Sequence, residues 1–160
     1  AGVTRVSLGV QDFTPAVQRA INRWQPAEVT EAAMSALRAH GIDRINVDLV
    51  YGLPLQTEDM LEATLRRTVA LAPSRLAVFG YAHVPWMKKH QKMINDADLA
   101  GVAGRWAQAE AADEALVAGG YVRLGLDHYA RPDDPLVAAA AEPCGEHRIV
   151  EQQVEGVRSG

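Results

Sequence analysis

This chain of 160 residues contains one cysteine, Cys144. That excludes an internal disulfide framework and any metal site built from cysteines of this chain alone. The histidines, His40, His83, His90, His128 and His147, form no His-x-x-x-His pair and match no known ligand spacing, so no metal site is read within the chain. There is no Gly-x-Ser-x-Gly elbow and no glycine-rich phosphate loop. Lys and Arg number 16 against 20 Asp and Glu, a net charge of -4. No basic cluster is long enough to follow a phosphate backbone, so a nucleic-acid partner is not expected. No apolar run is long enough to span a bilayer, and Ala1-Gly2-Val3-Thr4 has no signal-peptide pattern. A cytoplasmic setting fits these features, and no membrane span is expected.

What is present is a globular composition, 48% hydrophobic and 22% charged, of a length that suits one ordinary domain. The stretch Asn46-Val47-Asp48-Leu49-Val50-Tyr51-Gly52-Leu53-Pro54 reads as a buried strand running into a tight turn. Asp48 interrupts its apolar run. An isolated charge is rarely buried without a partner, so Asp48 is a candidate ligand-facing group near the carboxyl end of a strand. The plainer reading is an aspartate that caps a turn or pairs with an arginine.

Val3 to Val10 alternates apolar and small residues and predicts a strand from almost the first residue, as in a chain that begins inside a longer one. Thr14 followed by Pro15 predicts a helix start, with Val17, Ala20 and Ile21 on its buried side. Trp24-Gln25-Pro26 breaks that helix. A second begins near Ala27, with Val29, Ala32, Ala33, Ala36 and Leu37 as its apolar stripe and Gly41 as its stop. After the Asp48 strand, Thr57 is the N-cap expected for a helix buried through Leu61, Leu65, Val69 and Ala72. Residues 75–80 read as a third strand. A loop over 81–96 carries Tyr81, His83, Trp86, Lys88, Lys89 and His90. A long helix follows from near Asp98, with Leu99, Val102, Trp106, Ala109 and Leu116 on one face. Residues 121–127 read as a short strand, 128–132 as a loop and 136–141 as a last helix. Strands separated by helices predict an α/β fold with parallel strands and right-handed crossovers, a half-barrel or a doubly wound sheet.

Gln11, Asp48 and the Tyr81-Ala82 pair each fall at or just after the carboxyl end of a predicted strand. If those strands are neighbours, the groups converge on one rim, the geometry of a ligand site. Arg23 can grip a carboxylate with two N–H groups; a solvated helix-end arginine is the plainer reading. Lys88-Lys89-His90 is a short positive patch, more often a solvated run than a site. Residue types and spacing therefore give an α/β rim that binds something, without naming the chemistry.

Several blocks go further. Gly9-Val10-Gln11-Asp12-Phe13, Val17-Gln18-Arg19-Ala20-Ile21-Asn22-Arg23, the stretch from Asn46 to Thr57, Tyr81-Ala82-His83-Val84-Pro85 and Gly125-Leu126-Asp127-His128-Tyr129-Ala130-Arg131-Pro132-Asp133-Asp134 resemble, in order, the oxygen-independent coproporphyrinogen III oxidases. These are radical S-adenosylmethionine (SAM) enzymes of haem synthesis. The resemblance implies a partial (β/α) barrel of radical SAM type. It implies a 4Fe-4S cluster, held by a Cys-x-x-x-Cys-x-x-Cys loop, that reduces SAM to a deoxyadenosyl radical. The substrate implied is a tetrapyrrole, two of whose propionates become vinyl groups. By position, the residues matching SAM contacts are Gln11, Arg23 (for the SAM carboxylate), Asp48 (for the ribose hydroxyls), Val50 and Ala82 (for the adenine). His83, Lys88 and Lys89 are candidates for the propionates.

The departures are equally specific. The cysteine loop is absent from this chain, Cys144 cannot replace it, and residues 142–160 do not match the family. The division expected is 1–141 as the C-terminal part of a radical SAM barrel with a following helical segment, and 142–160 as a tail with no strong pattern. The chain alone is expected to be inactive. The strand from Val3 to Val10 would present an open edge suited to self-association. The alternatives are a haem-chaperone relative, a non-catalytic fragment that binds SAM or a partner only, and a plain structural module.

Overall fold

The computed structural model describes residues 2–141; the expected 142–160 tail, with Cys144 and His147, lies outside the described residues. Three parallel strands form the spine: β1 (Val6–Gln11), β2 (Ile45–Tyr51) and β3 (Arg75–Gly80). Helices α1 (Pro15–Ala20) and α2 (Ala27–Ala39) connect β1 to β2, and α3 (Glu58–Ala70) connects β2 to β3. After β3 come a long loop with short 3-10 turns at Lys89–Met93 and Asp96–Asp98, helix α4 (Val102–Ala118), a β4 (Val122–Arg123) and β5 (His128–Ala130) hairpin, and α5 (Pro135–Ala141). The sheet runs in the order β1-β2-β3-β5-β4, with the last two strands antiparallel, and it is open.

The alternation along β2 sets the two faces of the sheet. Ile45, Val47 and Leu49 are fully buried, whereas Asn46, Asp48 and Val50 are only partly covered. Successive strand side chains point to opposite faces. The first set packs with Val10, Leu76 and Val78 against Met34 of α2, Leu61 and Leu65 of α3, and Ala112 and Leu116 of α4. Each fully buried leucine of that set stabilises the fold by about 2 kcal/mol. The second set looks onto the uncovered face. Register places Gly9 opposite Asp48 on one side and Ala77 on the other, so Asp48 sits mid-sheet among small neighbours.

Local chemistry explains most of the boundaries. Thr57 caps α3 by accepting the Met60 N–H at 3.3 Å, with Glu58 and Asp59 in the first turn. Gly41, at φ 76°, turns the chain out of α2. Tyr121 buries its ring and donates its hydroxyl to the Pro73 carbonyl at 2.8 Å; burial pushes its pKa up to about 12.

Several expectations are corrected. β1 begins at Val6, not Val3. Thr14 makes no side-chain cap; the Asp12 carboxylate takes the Thr14 N–H instead. On α1, Val17 and Gln18 are buried, while Ala20 and Ile21 are only partly covered. α2 is buried through Ala27, Thr30 and Met34, whereas Val29 is 55% exposed. On α3 the buried face runs through Leu61, Thr64, Leu65 and Thr68, and Ala72 is exposed beyond its end. α4 turns Gln108, Ala112 and Leu116 inward and leaves Val102 89% and Trp106 68% exposed. Both α2 and α4 are rich in alanine, which suits either face, so the larger side chains misdirected the stripe. Residues 128–130 are a strand rather than a loop, and they pair antiparallel to β3.

Candidate functional site

The carboxyl ends of β1, β2 and β3 open onto one cavity of about 840 Å³. Gln11, Asn22 and Arg23 line it from the β1 side, Val50 and Leu53 from β2, and Tyr81, Met93 and Ile94 from the segment after β3. Two further grooves, one between α3 and α4 and one between α4 and the β4–β5 hairpin, hold none of the expected residues.

Gly9 is the centre of the arrangement. A side chain there would meet Gln11 Nε2 at 3.2 Å and Arg23 Nη2 at 3.4 Å, and Gly9 is the register partner of Asp48. The bare backbone thus leaves room for the ends of Gln11 and Arg23, with Asp48 on the neighbouring strand; Asp48 and Ala82 are not among the residues that line the cavity. The pairing of β1 with β2 skips between Gly9 and Gln11, and Gln11 takes a φ of 70°. Such a bulge re-aims the side chain that follows it. Asn22, at φ 53°, is a second non-glycine residue in the left-handed region on this cavity. Conformations of this kind persist where the surrounding structure holds them, most often at functional sites.

Arg23 donates one N–H to the Gly9 carbonyl and keeps the rest of its guanidinium exposed. Asp48 accepts the Asn46 side-chain N–H on Oδ1 at 2.6 Å. A carboxylate has lone pairs on two oxygens, so it retains acceptor capacity for a second group. Ala82 is exposed beside Tyr81, with its carbonyl accepting from Gln91 Nε2 at 3.0 Å.

The propionate candidates are placed differently. His83 bridges Tyr81 and Asp96: Nδ1 lies 3.3 Å from the Tyr81 hydroxyl and Nε2 lies 3.0 Å from Asp96 Oδ1. The short Nε2 contact to a carboxylate suits an N–H on that nitrogen. Burial raises the Tyr81 pKa and keeps the phenol protonated near neutral pH. Lys88 and Lys89 are exposed on the same loop, outside the cavity lining.

A buried network behind the rim escaped sequence reasoning. Asp12 is fully buried, directly after Gln11. It accepts the Gln56 side-chain N–H at 2.8 Å and the Thr14 backbone N–H, and burial raises its pKa against those two opposing bonds. Gln56 also donates to the Val50 carbonyl at 3.0 Å and accepts from Leu53 N–H at 3.3 Å. Gln108 donates to the Gln56 carbonyl at 2.8 Å. Gln18 joins the Asp12 carbonyl to Gln25. A charged residue inside the Gly9 to Phe13 block was the one available signal.

Residues 1–68 match the model of the Radical SAM superfamily. A structure of the Elp3 protein of the archaeon Methanocaldococcus infernus shares the fold, with a TM-score of 0.55 at 17% identity, covering 69% of this chain and 27% of that one. At that identity the likeness shows the fold alone. At higher identity, the chain is similar to proteins named oxygen-independent coproporphyrinogen III oxidase. It is 55% identical to the enzyme of that name from Bradyrhizobium diazoefficiens over 142 residues, 89% of this chain and 32% of the relative. Identity to the Pseudomonas aeruginosa protein is 45%, over 86% of this chain and 30% of that protein. The solved structure of coproporphyrinogen III oxidase from Escherichia coli, titled a radical SAM enzyme, superimposes with a TM-score of 0.84 at 43% identity, over 86% of this chain and 32% of that one. The chain spans about a third of the length of the curated relatives it matches.

Proposed function

We propose that this chain supplies part of the SAM-facing rim of an oxygen-independent coproporphyrinogen III oxidase, an oxidoreductase that converts two propionates of a tetrapyrrole to vinyl groups in haem synthesis. The single observation that carries it is the bare Gly9 packed against Gln11 and Arg23, which line the cavity, and paired in register with Asp48. SAM fits these residues chemically. Asp48 has acceptor capacity for the ribose diol, Arg23 has free donors for the amino-acid carboxylate, and Gln11 offers an amide beside them. Val50 gives an apolar wall, and Ala82 lies at the β3 side for the adenine. The cavity volume is within the range of ligand sites. SAM, when bound and reductively cleaved, supplies the hydrogen-abstracting radical. The chain's own residues bind and orient it, and Tyr81, Met93 and Ile94 shield it from water on one side.

The 4Fe-4S cluster does not fit this chain. A Cys-x-x-x-Cys-x-x-Cys loop needs three cysteines, the chain has one, and no group of three metal-ligating side chains exists among the described residues. The isolated chain is expected not to turn over coproporphyrinogen. His83, Lys88 and Lys89 are carried in this reading as propionate contacts, because they stand on the loop that follows the rim. Residues 1–141 act as one unit. The setting is cytoplasmic, which the lone cysteine supports. Among the described residues no helix is long and apolar enough to cross a membrane. β1 pairs with β2 alone among the described residues, and self-association through its other edge is part of the proposal.

Calorimetric titration with SAM tests the rim. Asp48→Ala removes a charged acceptor facing two hydroxyls, worth about 3 kcal/mol or more, so affinity falls ~100-fold or beyond. Unchanged affinity in the variant would refute the assignment of Asp48.

A further inference from the structure

Helix α4 carries one residue whose placement the core does not require. The Arg105 guanidinium lies across two glycines at the carboxyl ends of β2 and β3. A side chain on Gly52 would come within 3.1 Å of Arg105 Nε, and one on Gly80 within 3.3 Å of Nη2. Nη2 donates to the Tyr81 carbonyl at 2.8 Å. Nε is buried and has no hydrogen-bond partner among the described residues. A side chain retained for stability alone satisfies its donors, because an unpaired buried N–H is costly. Arg105 instead packs against Gly52, and with the Tyr51 ring against Gly80, and directs a hydrogen bond to the peptide that joins Tyr81 to Ala82.

That peptide is trans, as are all the described peptide bonds. In a planar trans peptide the C=O and the N–H point in opposite directions. A carbonyl held against Arg105 therefore aims the Ala82 N–H away from α4. The cation on the oxygen also polarises the peptide and strengthens that N–H as a donor. The flanking peptides are fixed as well. The Tyr81 N–H donates to the Tyr51 carbonyl at 2.8 Å, Gln91 Nε2 donates to the Ala82 carbonyl at 3.0 Å, and Gln91 Oε1 accepts the Val84 N–H at 2.6 Å.

We infer that Arg105 is a positioning residue that sets the direction of the Ala82 N–H, so that this amide donates to a ring nitrogen of the SAM adenine. The inference rests on the rim being the SAM site. Two variants test it, Arg105→Met, which keeps the stem and removes the donors, and Arg105→Lys, which keeps a cationic donor. Two readouts are taken on each: calorimetric affinity for SAM, and amide hydrogen exchange of segments 79–85 and 45–51. The methionine variant should bind SAM about tenfold more weakly, one hydrogen bond's worth. It should exchange faster over 79–85 and leave 45–51 unchanged. The lysine variant should fall between wild type and methionine on both readouts. Wild-type affinity in the methionine variant overturns the inference, as does equal loosening of both segments or a lysine variant no better than methionine. A wild-type chain that does not bind SAM, while exchange still rises only over 79–85, overturns the cofactor reading and with it this role. The exchange pattern thus separates the two failures.

Discussion

Gln56→Met is the sharpest probe of how the rim is held. The substitution conserves length and removes three side-chain hydrogen bonds at once: to Asp12 at 2.8 Å, to the Val50 carbonyl at 3.0 Å and from Leu53 N–H at 3.3 Å. The bond to a carboxylate is worth about 1.5–3 kcal/mol, and leaving a backbone carbonyl and an amide short of a partner adds about 1 kcal/mol each. The expected loss is about 3–5 kcal/mol, or about 10–20 °C in Tm for a chain of this size. It should depend on pH. Burial already raises the Asp12 pKa, and the Gln56 bond opposes that rise. Without Gln56 the folded-state pKa climbs further, so the folded variant binds a proton more tightly than wild type does. A group whose folded pKa is raised gives its stability at low pH and loses it as pH rises through that pKa. The gap between wild type and variant should therefore be wide at neutral pH and narrow as pH falls through the raised range. Urea denaturation across a pH series measures it. A gap under 1 kcal/mol, or one that does not change with pH, would refute the role given to the Asp12–Gln56 pair.

Three other outcomes follow from the same coordinates. Asp134→Ala breaks a bidentate pair with Arg75 (2.8 and 2.7 Å) and the bond to Leu136 N–H, and should cost about 3 kcal/mol. The Arg75 hydrogen bond lowers the Asp134 pKa, so this stability is present at neutral pH, and wild type and variant should converge as acid titration protonates Asp134; thermal melts along that titration check it. Gly52→Ala puts a side chain at φ 78° and 3.1 Å from Arg105, and should lower Tm by more than the ~1 kcal/mol of the backbone term alone. Gly9→Ala meets only the flexible ends of Gln11 and Arg23, so melting should change little while SAM affinity drops several-fold by calorimetry.

What the sequence disclosed depended on whether a single residue type could carry the signal. β2 and the Thr57 cap were legible because an apolar run and a hydroxyl before two acids have few other uses. Of Gln11, Asp48 and the Tyr81-Ala82 pair, expected on one rim from strand order alone, Gln11 and Tyr81 line the cavity, while Asp48 and Ala82 stand outside its lining; Val50, which also lines it, was implied only by the family resemblance. The faces of α2 and α4 were not legible. Thr30 and Gln108 are buried because Gln25 and Gln56 offer them partners, and a polar residue with a distant partner leaves no periodic trace. β5 was missed for a related reason. His128-Tyr129-Ala130 is too short to alternate, and its pairing with β3 is set by contacts across the sheet. Arg105 was invisible as well, since its purpose depends on glycines more than twenty residues away in sequence.

The braces of the rim share a chemical property. Gln18, Gln56, Gln91 and Gln108 are all buried, and each ties its own segment to a loop backbone through a carboxamide. Carboxamides neither ionise nor attract counterions. A rim held by surface ion pairs would slacken as salt rises within a Debye length of its charges. This one has mostly neutral dipoles behind it, with Asp12 and Arg105 as its ionisable members. Its shape should be nearly the same in dilute buffer and in concentrated salt, so any salt dependence of ligand binding reports the charges that face the ligand, Arg23 and Asp48, and not the frame that holds them.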